Sequence, residues 1–130
     1  MIGLDTNVMV RYITQDDRAQ SATASKLVDS LNPENPGYLS LVVVAELVWV
    51  LEYSYDFDRA GILRVLEILL QSEDVIVERV ALVWQALHDF RLCNSDFADC
   101  LIERCNGAAG CDYTLTFDRK AVSAGMRLLQ

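Results

Sequence analysis

Histidine occurs once in this chain, at His88, and no two of the four cysteines stand in a C-x-x-C pair. Structural zinc sites need paired Cys and His ligands at short spacing, so this composition argues against one. Cys93, Cys100, Cys105 and Cys111 read as reduced thiols, with Cys100 and Cys105 falling where a helix buries small apolar groups. His88 sits in the middle of a helical stretch and reads as structural, so no nucleophile–histidine machinery is in view. Bases are scarce: 11 Lys and Arg face 19 Asp and Glu, for a net charge of −8. A broad basic surface therefore cannot be the source of any affinity for nucleic acid. A nuclease is not excluded, because acids that ligate a metal are counted as uncompensated charge in that sum. Long apolar runs are also absent. The longest, residues 41–51, is too short to span a bilayer and carries an acid, and the MIGLD start lacks the basic region of a signal peptide. A soluble cytoplasmic protein is expected. Repeats, low-complexity tracts and linkers are missing, and 130 residues that are 52% hydrophobic fit one domain with a full core.

What the chain does have is acids in apolar settings. Glu46 is the one charged residue in LVVVAELVWVL, and on a helix its neighbours three and four positions away are Val42, Val43, Trp49 and Val50. None offers a counter-charge, so the sequence predicts a buried carboxylate in need of a cation. Asp5 follows MIGL, Asp99 lies inside FADCLI, and Asp118 comes just after YTLT. Several acids at the ends of apolar elements suggest a shared metal ion.

The chain alternates strand and helix. Residues 1–4 read as a short buried strand, 7–13 and 17–31 as helices, and 32–37 (NPENPG) as a breaker. A strand at 38–40 leads into the Glu46 helix, with Ser40 as its N-cap. Asp58 caps a helix to about Gln71, and 75–78 (VIVE) is strand-like. Helices follow at 80–92 and 96–105, the second capped by Asn94 or Ser95 and ended by Asn106 and Gly107, with a second glycine at Gly110. A strand at 113–116, a short helix at 119–124 and a last strand at 126–129 complete the pattern. Such alternation predicts an α/β fold with a parallel sheet, whose ligands gather at the carboxyl ends of the strands. Asp5, Glu46, Asp99 and Asp118 are all placed to meet there. Hard cations such as Mg²⁺ and Mn²⁺ take oxygen ligands of this kind and suit phosphodiester hydrolysis. Each acid also has a bland role: Asp5 in a turn, Asp96 at a helix start facing the macrodipole, Asp118 as a cap. Asp96 and Asp99 share a helix face with Glu103. Arg11, Arg119 and Lys120 are the bases available to hold a nucleic-acid backbone.

The segments Leu4-Asp5-Thr6-Asn7, Val44-Ala45-Glu46-Leu47, Phe97-Ala98-Asp99-Cys100-Leu101-Ile102 and Thr114-Leu115-Thr116-Phe117-Asp118 resemble, in order and spacing, the PIN domain. The likeness is specifically to the VapC toxins of bacterial and archaeal toxin–antitoxin pairs. The resemblance implies a three-layer α/β/α fold with a central, mostly parallel sheet, in a single domain over residues 1–130. It implies an acidic quartet of Asp5, Glu46, Asp99 and Asp118 that is both catalytic and metal-binding, with Asp96 as a fifth, lower-ranked ligand. Asn7 and Thr116 are implied as polar residues beside the metal, followed by Thr6. The activity implied is a Mg²⁺- or Mn²⁺-dependent endoribonuclease that cuts RNA such as tRNA or rRNA and leaves 5′-phosphate and 3′-hydroxyl ends. Implied partners are a VapB-like antitoxin and a second copy in a homodimer. Two rivals stand beside it: a receiver-like Mg²⁺-binding phosphoacceptor domain and a catalytically silent PIN-like interaction module. The receiver wants adjacent acids after its first strand, where Asp5 stands single, and a haloacid-type phosphatase wants a second Asp two residues after Asp5, where Asn7 stands.

Overall fold

The computed structural model describes residues Met1–Gln130. The chain forms two compact units, Met1–Glu78 and Arg79–Gln130. In the first, strands β1 (Ile2–Gly3), β2 (Gly37–Leu39) and β3 (Val75–Val77) make a parallel sheet in the order β1-β2-β3. The register pairs Ile2 with Gly37, and Tyr38 with Ile76. Helices α1 (Thr6–Thr14) and α2 (Arg18–Ser30) connect β1 to β2, and α3 (Leu41–Tyr55) and α4 (Arg59–Gln71) connect β2 to β3. In the second unit, α5 (Val80–Leu92) and α6 (Phe97–Ala108) pack on each other. Strands β4 (Leu115–Thr116) and β5 (Arg127–Leu128) pair in parallel across a 3-10 helix at Arg119–Ala124. The expected α/β class with parallel pairing is therefore observed.

Local chemistry starts the helices where the sequence places them. Asp17, Ser40 and Asp58 accept from Gln20 N, Val43 N and Gly61 N, each satisfying a donor left open at a helix start. NPENPG folds as a tight turn in which Asn32 Oδ1 accepts from the amides of Glu34 and Asn35. The core of the first unit is the apolar face of α3 (Val44, Leu47, Val48, Leu51) against Met9, Leu39, Ile62 and Leu66. Each such side chain contributes about 1.5–3 kcal/mol on burial. Gly37 permits the close packing beneath β2: a Cβ there would stand 2.7 Å from Leu4 Cδ1. In the second unit Phe90 and Phe97 meet edge to face, 5.9 Å between centroids.

Two expectations are corrected. β1 is not a buried strand: it is the edge of its sheet, and Ile2 is exposed while only Leu4 beyond it is buried. The helix expected to stop at Asn106 and Gly107 runs on to Ala108. Ala109 N still bonds to Cys105 O, and the stop comes at Gly110, whose positive φ of 97° no other residue type adopts cheaply.

Candidate metal centre

In the first unit, the parallel register brings three chain segments to one end of the sheet. Leu4 N bonds to Tyr38 O, and Glu78 N to Leu39 O, so Asp5, Ser40 and Glu78 follow the carboxyl ends of neighbouring strands. Asp5 is the N-cap residue of α1, yet its side chain makes no capping hydrogen bond. Thr6, next to it, is 3% exposed, and its hydroxyl has no partner. Glu46 lies in the second turn of α3, which begins at that same end of the sheet and packs against α1. Glu78 is an acid that the sequence reading used only to end a strand. Its Oε1 accepts from Leu41 N at 2.8 Å and so holds the start of the Glu46 helix.

The environment of Glu46 corrects the sequence reading. The carboxylate is exposed, not buried. α3 buries Val44, Leu47, Val48 and Leu51, and Glu46 shares the outer face with exposed Val42, Trp49 and Tyr53. Apolar residues on both faces hid the helix's sidedness in the sequence. Trp49 and Tyr53 stack at 5.3 Å on that face.

In the second unit, Asp96 is the N-cap of α6 and, like Asp5, makes no side-chain cap bond. Asp99 stands in the first turn, half-buried, and Oδ2 accepts from the buried Ser95 hydroxyl at 2.9 Å. Thr116 ends β4 and its hydroxyl accepts from Asp118 N at 3.0 Å. Asp118 in turn caps the 3-10 helix, Oδ1 accepting from Lys120 N at 2.9 Å. That helix packs on α6. Ser95 is the one partner of the quartet that the sequence reading treated only as a helix cap. Its signal was its place four residues before Asp99.

Among the bases, Arg11 is already engaged. Its guanidinium donates to Gln20 Oε1, both oxygens of Asp16 and the Tyr55 hydroxyl. Desolvation pulls its pKa down, but the Tyr55 bond and the Asp16 charge outweigh that loss and leave it raised. Arg119 and Lys120 are exposed on the 3-10 helix beside Asp118, and Asn7 is exposed in the first turn of α1. His88, expected among ordinary helix residues, is exposed on α5. None of the four cysteines is in a disulfide. Burial, then its neighbour Cys93, pushes the Cys100 thiol up to about 12.

No group of three or more His, Cys, Asp or Glu side chains stands in metal-binding geometry. Each unit carries two of the four acids: Asp5 and Glu46 in the first, Asp99 and Asp118 in the second. The donors nevertheless suit a hard divalent cation. They are carboxylate oxygens, two of the acids at N-cap positions leave the capping role unused, and a buried hydroxyl beside Asp5 lacks a partner. The PIN domain family matches residues 2–125, across both units. The chain belongs to the PIN domain family. No curated protein and no solved structure matches it. PIN domains are generally metal-dependent nucleases acting on nucleic acid. The receiver and phosphatase readings have no such support. No helix of this PIN domain is long and apolar enough to cross a membrane.

Proposed function

We propose that this PIN domain is a Mg²⁺- or Mn²⁺-dependent endoribonuclease, the toxin of a VapBC-type toxin–antitoxin pair, folded as one domain from both units and working in the cytoplasm. The observation that carries the reading is Asp5. It sits at the carboxyl end of a parallel strand, at a helix N-cap, with its carboxylate unspent on capping and a partnerless buried hydroxyl beside it. A cap residue that forgoes its capping bond gives up roughly 1 kcal/mol, which fits a carboxylate reserved for another ligand.

Asp5, Glu46, Asp99 and Asp118 would hold the cation, with Asp96 as an additional ligand. When bound, the cation supplies charge neutralisation at the phosphate and a more acidic water. The chain's own residues do the rest. Ser95 fixes the rotamer of Asp99, and Thr116 fixes the backbone at Asp118. Asn7 and Thr6 would orient Asp5 and solvent at the start of α1. A carboxylate of the quartet accepts the proton of the attacking water. Arg119 and Lys120 hold the RNA backbone. Arg11, with its donors directed to Asp16, Gln20 and Tyr55, has a smaller part in that grip.

The partners proposed are an RNA substrate such as tRNA or rRNA, a VapB-like antitoxin and a second copy of the chain. The exposed apolar residues Val42, Trp49, Tyr53 and Ile68 support an interaction surface of that kind. The test is cleavage of total RNA with Mg²⁺ or Mn²⁺, with EDTA, and by Asp99→Asn. Metal-dependent cleavage that Asp99→Asn abolishes is expected. Equal patterns in all three would instead favour a catalytically silent PIN-like module.

A further inference from the structure

The sulfurs of Cys93 and Cys100 lie 3.6 Å apart. Cys93 is the C-cap residue of α5, and Cys100 lies one turn into α6. Between them runs the short loop holding Ser95 and Asp96, followed by the first turn of α6 with Asp99. Cys100 has no exposed surface. Cys93 is half-buried and lines an open cavity of about 640 Å³, with Asp89, Glu103 and Arg104 among its other walls. A small oxidant therefore reaches Cys93 first, and Cys100 waits behind it at contact distance. The two helices are pinned together at the same place: Arg104 makes a two-pronged ion pair to Asp89, at 2.6 and 2.9 Å. The sulfurs are thus held close by the packing of α5 on α6, not by a passing loop conformation. A disulfide needs about 2.05 Å between sulfurs, so closure requires an approach of only about 1.5 Å.

We infer that Cys93 and Cys100 are an oxidisable dithiol, a modification site for peroxides, and that their disulfide closes a ring around the loop that presents Asp99. The chemistry balances with hydrogen peroxide as the oxidant. The Cys93 sulfur takes one peroxide oxygen, giving a sulfenic acid and releasing water. The Cys100 sulfur then attacks the Cys93 sulfur, the sulfur–oxygen bond breaks, and the departing hydroxide takes up the Cys100 proton as a second water. Two electrons pass from the two thiols to the peroxide. A dithiol reductant reverses the bond by exchange.

The consequence for the metal centre rests on the proposed nuclease function. Asp99 is bonded to Cys100 in the chain, and Ser95, its hydrogen-bond donor, is inside the same ring. Drawing Cys100 towards Cys93 shifts the start of α6 by a fraction of the sulfur movement and displaces the Asp99 carboxylate. A displacement of about 1 Å at reacting groups costs on the order of 100-fold in rate.

The experiment uses the full chain, reduced, then treated with hydrogen peroxide near equimolar to protein. Peptide mapping without reductant should show peptides of Cys93 and Cys100 joined, with two hydrogens lost and recovered on adding dithiothreitol. Cys93→Ser should abolish the link, and Cys111→Ser should leave it. Sulfinic acid at Cys93, or intermolecular links through Cys111 with no Cys93–Cys100 peptide, overturns the dithiol. RNA cleavage by the oxidised chain should fall on the order of 100-fold and return with reductant, while Cys93→Ser stays insensitive to peroxide. Equal cleavage by oxidised and reduced chains overturns the regulatory consequence. A reduced chain that cleaves nothing overturns the nuclease reading, and the mapped crosslink still decides the dithiol.

Discussion

The Ser95 hydroxyl, with no surface exposed, donates a 2.9 Å hydrogen bond to Asp99 Oδ2. A half-buried carboxylate in the first turn of a helix could otherwise adopt several rotamers. A donor on a buried, packed residue selects one of them and leaves Oδ1 directed elsewhere. Asp99 is thereby held in place without being neutralised, which is what a metal-binding acid requires.

Ser95→Ala removes that donor. The metal concentration for half-maximal cleavage should rise about 10- to 100-fold, the usual effect of losing a group that orients a ligand. Stability should fall by roughly 1 kcal/mol, since Asp99 is exposed enough to regain water. Metal titration of RNA cleavage, with urea unfolding alongside, measures both. A stability loss with no change in metal dependence would make Ser95 a helix-start residue only.

Metal binding should stabilise the fold. A cation at 100 times its dissociation constant adds about 2.7 kcal/mol, which raises the melting temperature by several degrees. Asp5→Asn should cancel the rise and abolish cleavage. It should itself cost the fold less than about 0.5 kcal/mol, because Asp5 makes no capping bond to lose. Thermal melts with and without millimolar Mg²⁺ or Mn²⁺ give the answer. A midpoint that the cation does not move counts against the centre.

The thiols should separate by reactivity. With Cys100 pushed up to about 12, mainly by burial, its thiolate is scarce at pH 8. Iodoacetamide at pH 8 should label exposed Cys111 readily and Cys100 only on unfolding. The raised value also fixes a sign. The folded chain keeps the Cys100 proton where the unfolded chain loses it, so stability is intact below the ordinary value of 9.0 and declines as pH rises towards about 12. Labelling with mass detection, in native buffer and in urea, tests the order. Rapid native labelling of Cys100 would show that the α5–α6 interface opens.

Much of this was legible in the sequence, and the exceptions share a cause. Caps and breakers are local, so Ser40, Asp58 and NPENPG marked their elements without tertiary information. Which face of an element is covered is not local. Residues 41–51 are apolar all round, so nothing in them revealed that Glu46, Val42 and Trp49 face outward. Strand 1–4 read as buried for the same reason, since its edge position depends on β2 and β3. The helix through Asn106 and Gly107 persisted because Asn106 Nδ2 is anchored to Thr114 Oγ1, a contact eight residues away. In the candidate site, the acids could be named from spacing, but Ser95 and Glu78 acquire their roles only through hydrogen bonds seen in three dimensions.

Thr6 offers a test that separates structure from function. Its hydroxyl is buried and lacks a partner, a state that costs about 1–3 kcal/mol. Thr6→Val keeps the shape and removes the unsatisfied group. If the hydroxyl has no ligand to serve, the variant should be more stable by about 1 kcal/mol or more, with cleavage and metal affinity unchanged. If it serves the hydrated cation beside Asp5, the variant should still be more stable in EDTA. In saturating Mg²⁺ that advantage should shrink, and cleavage should fall about 10-fold. Melting curves of both chains in EDTA and in Mg²⁺ distinguish the two cases. The second is expected, because a protein rarely keeps an unpaired hydroxyl beside a carboxylate that itself forgoes its capping bond.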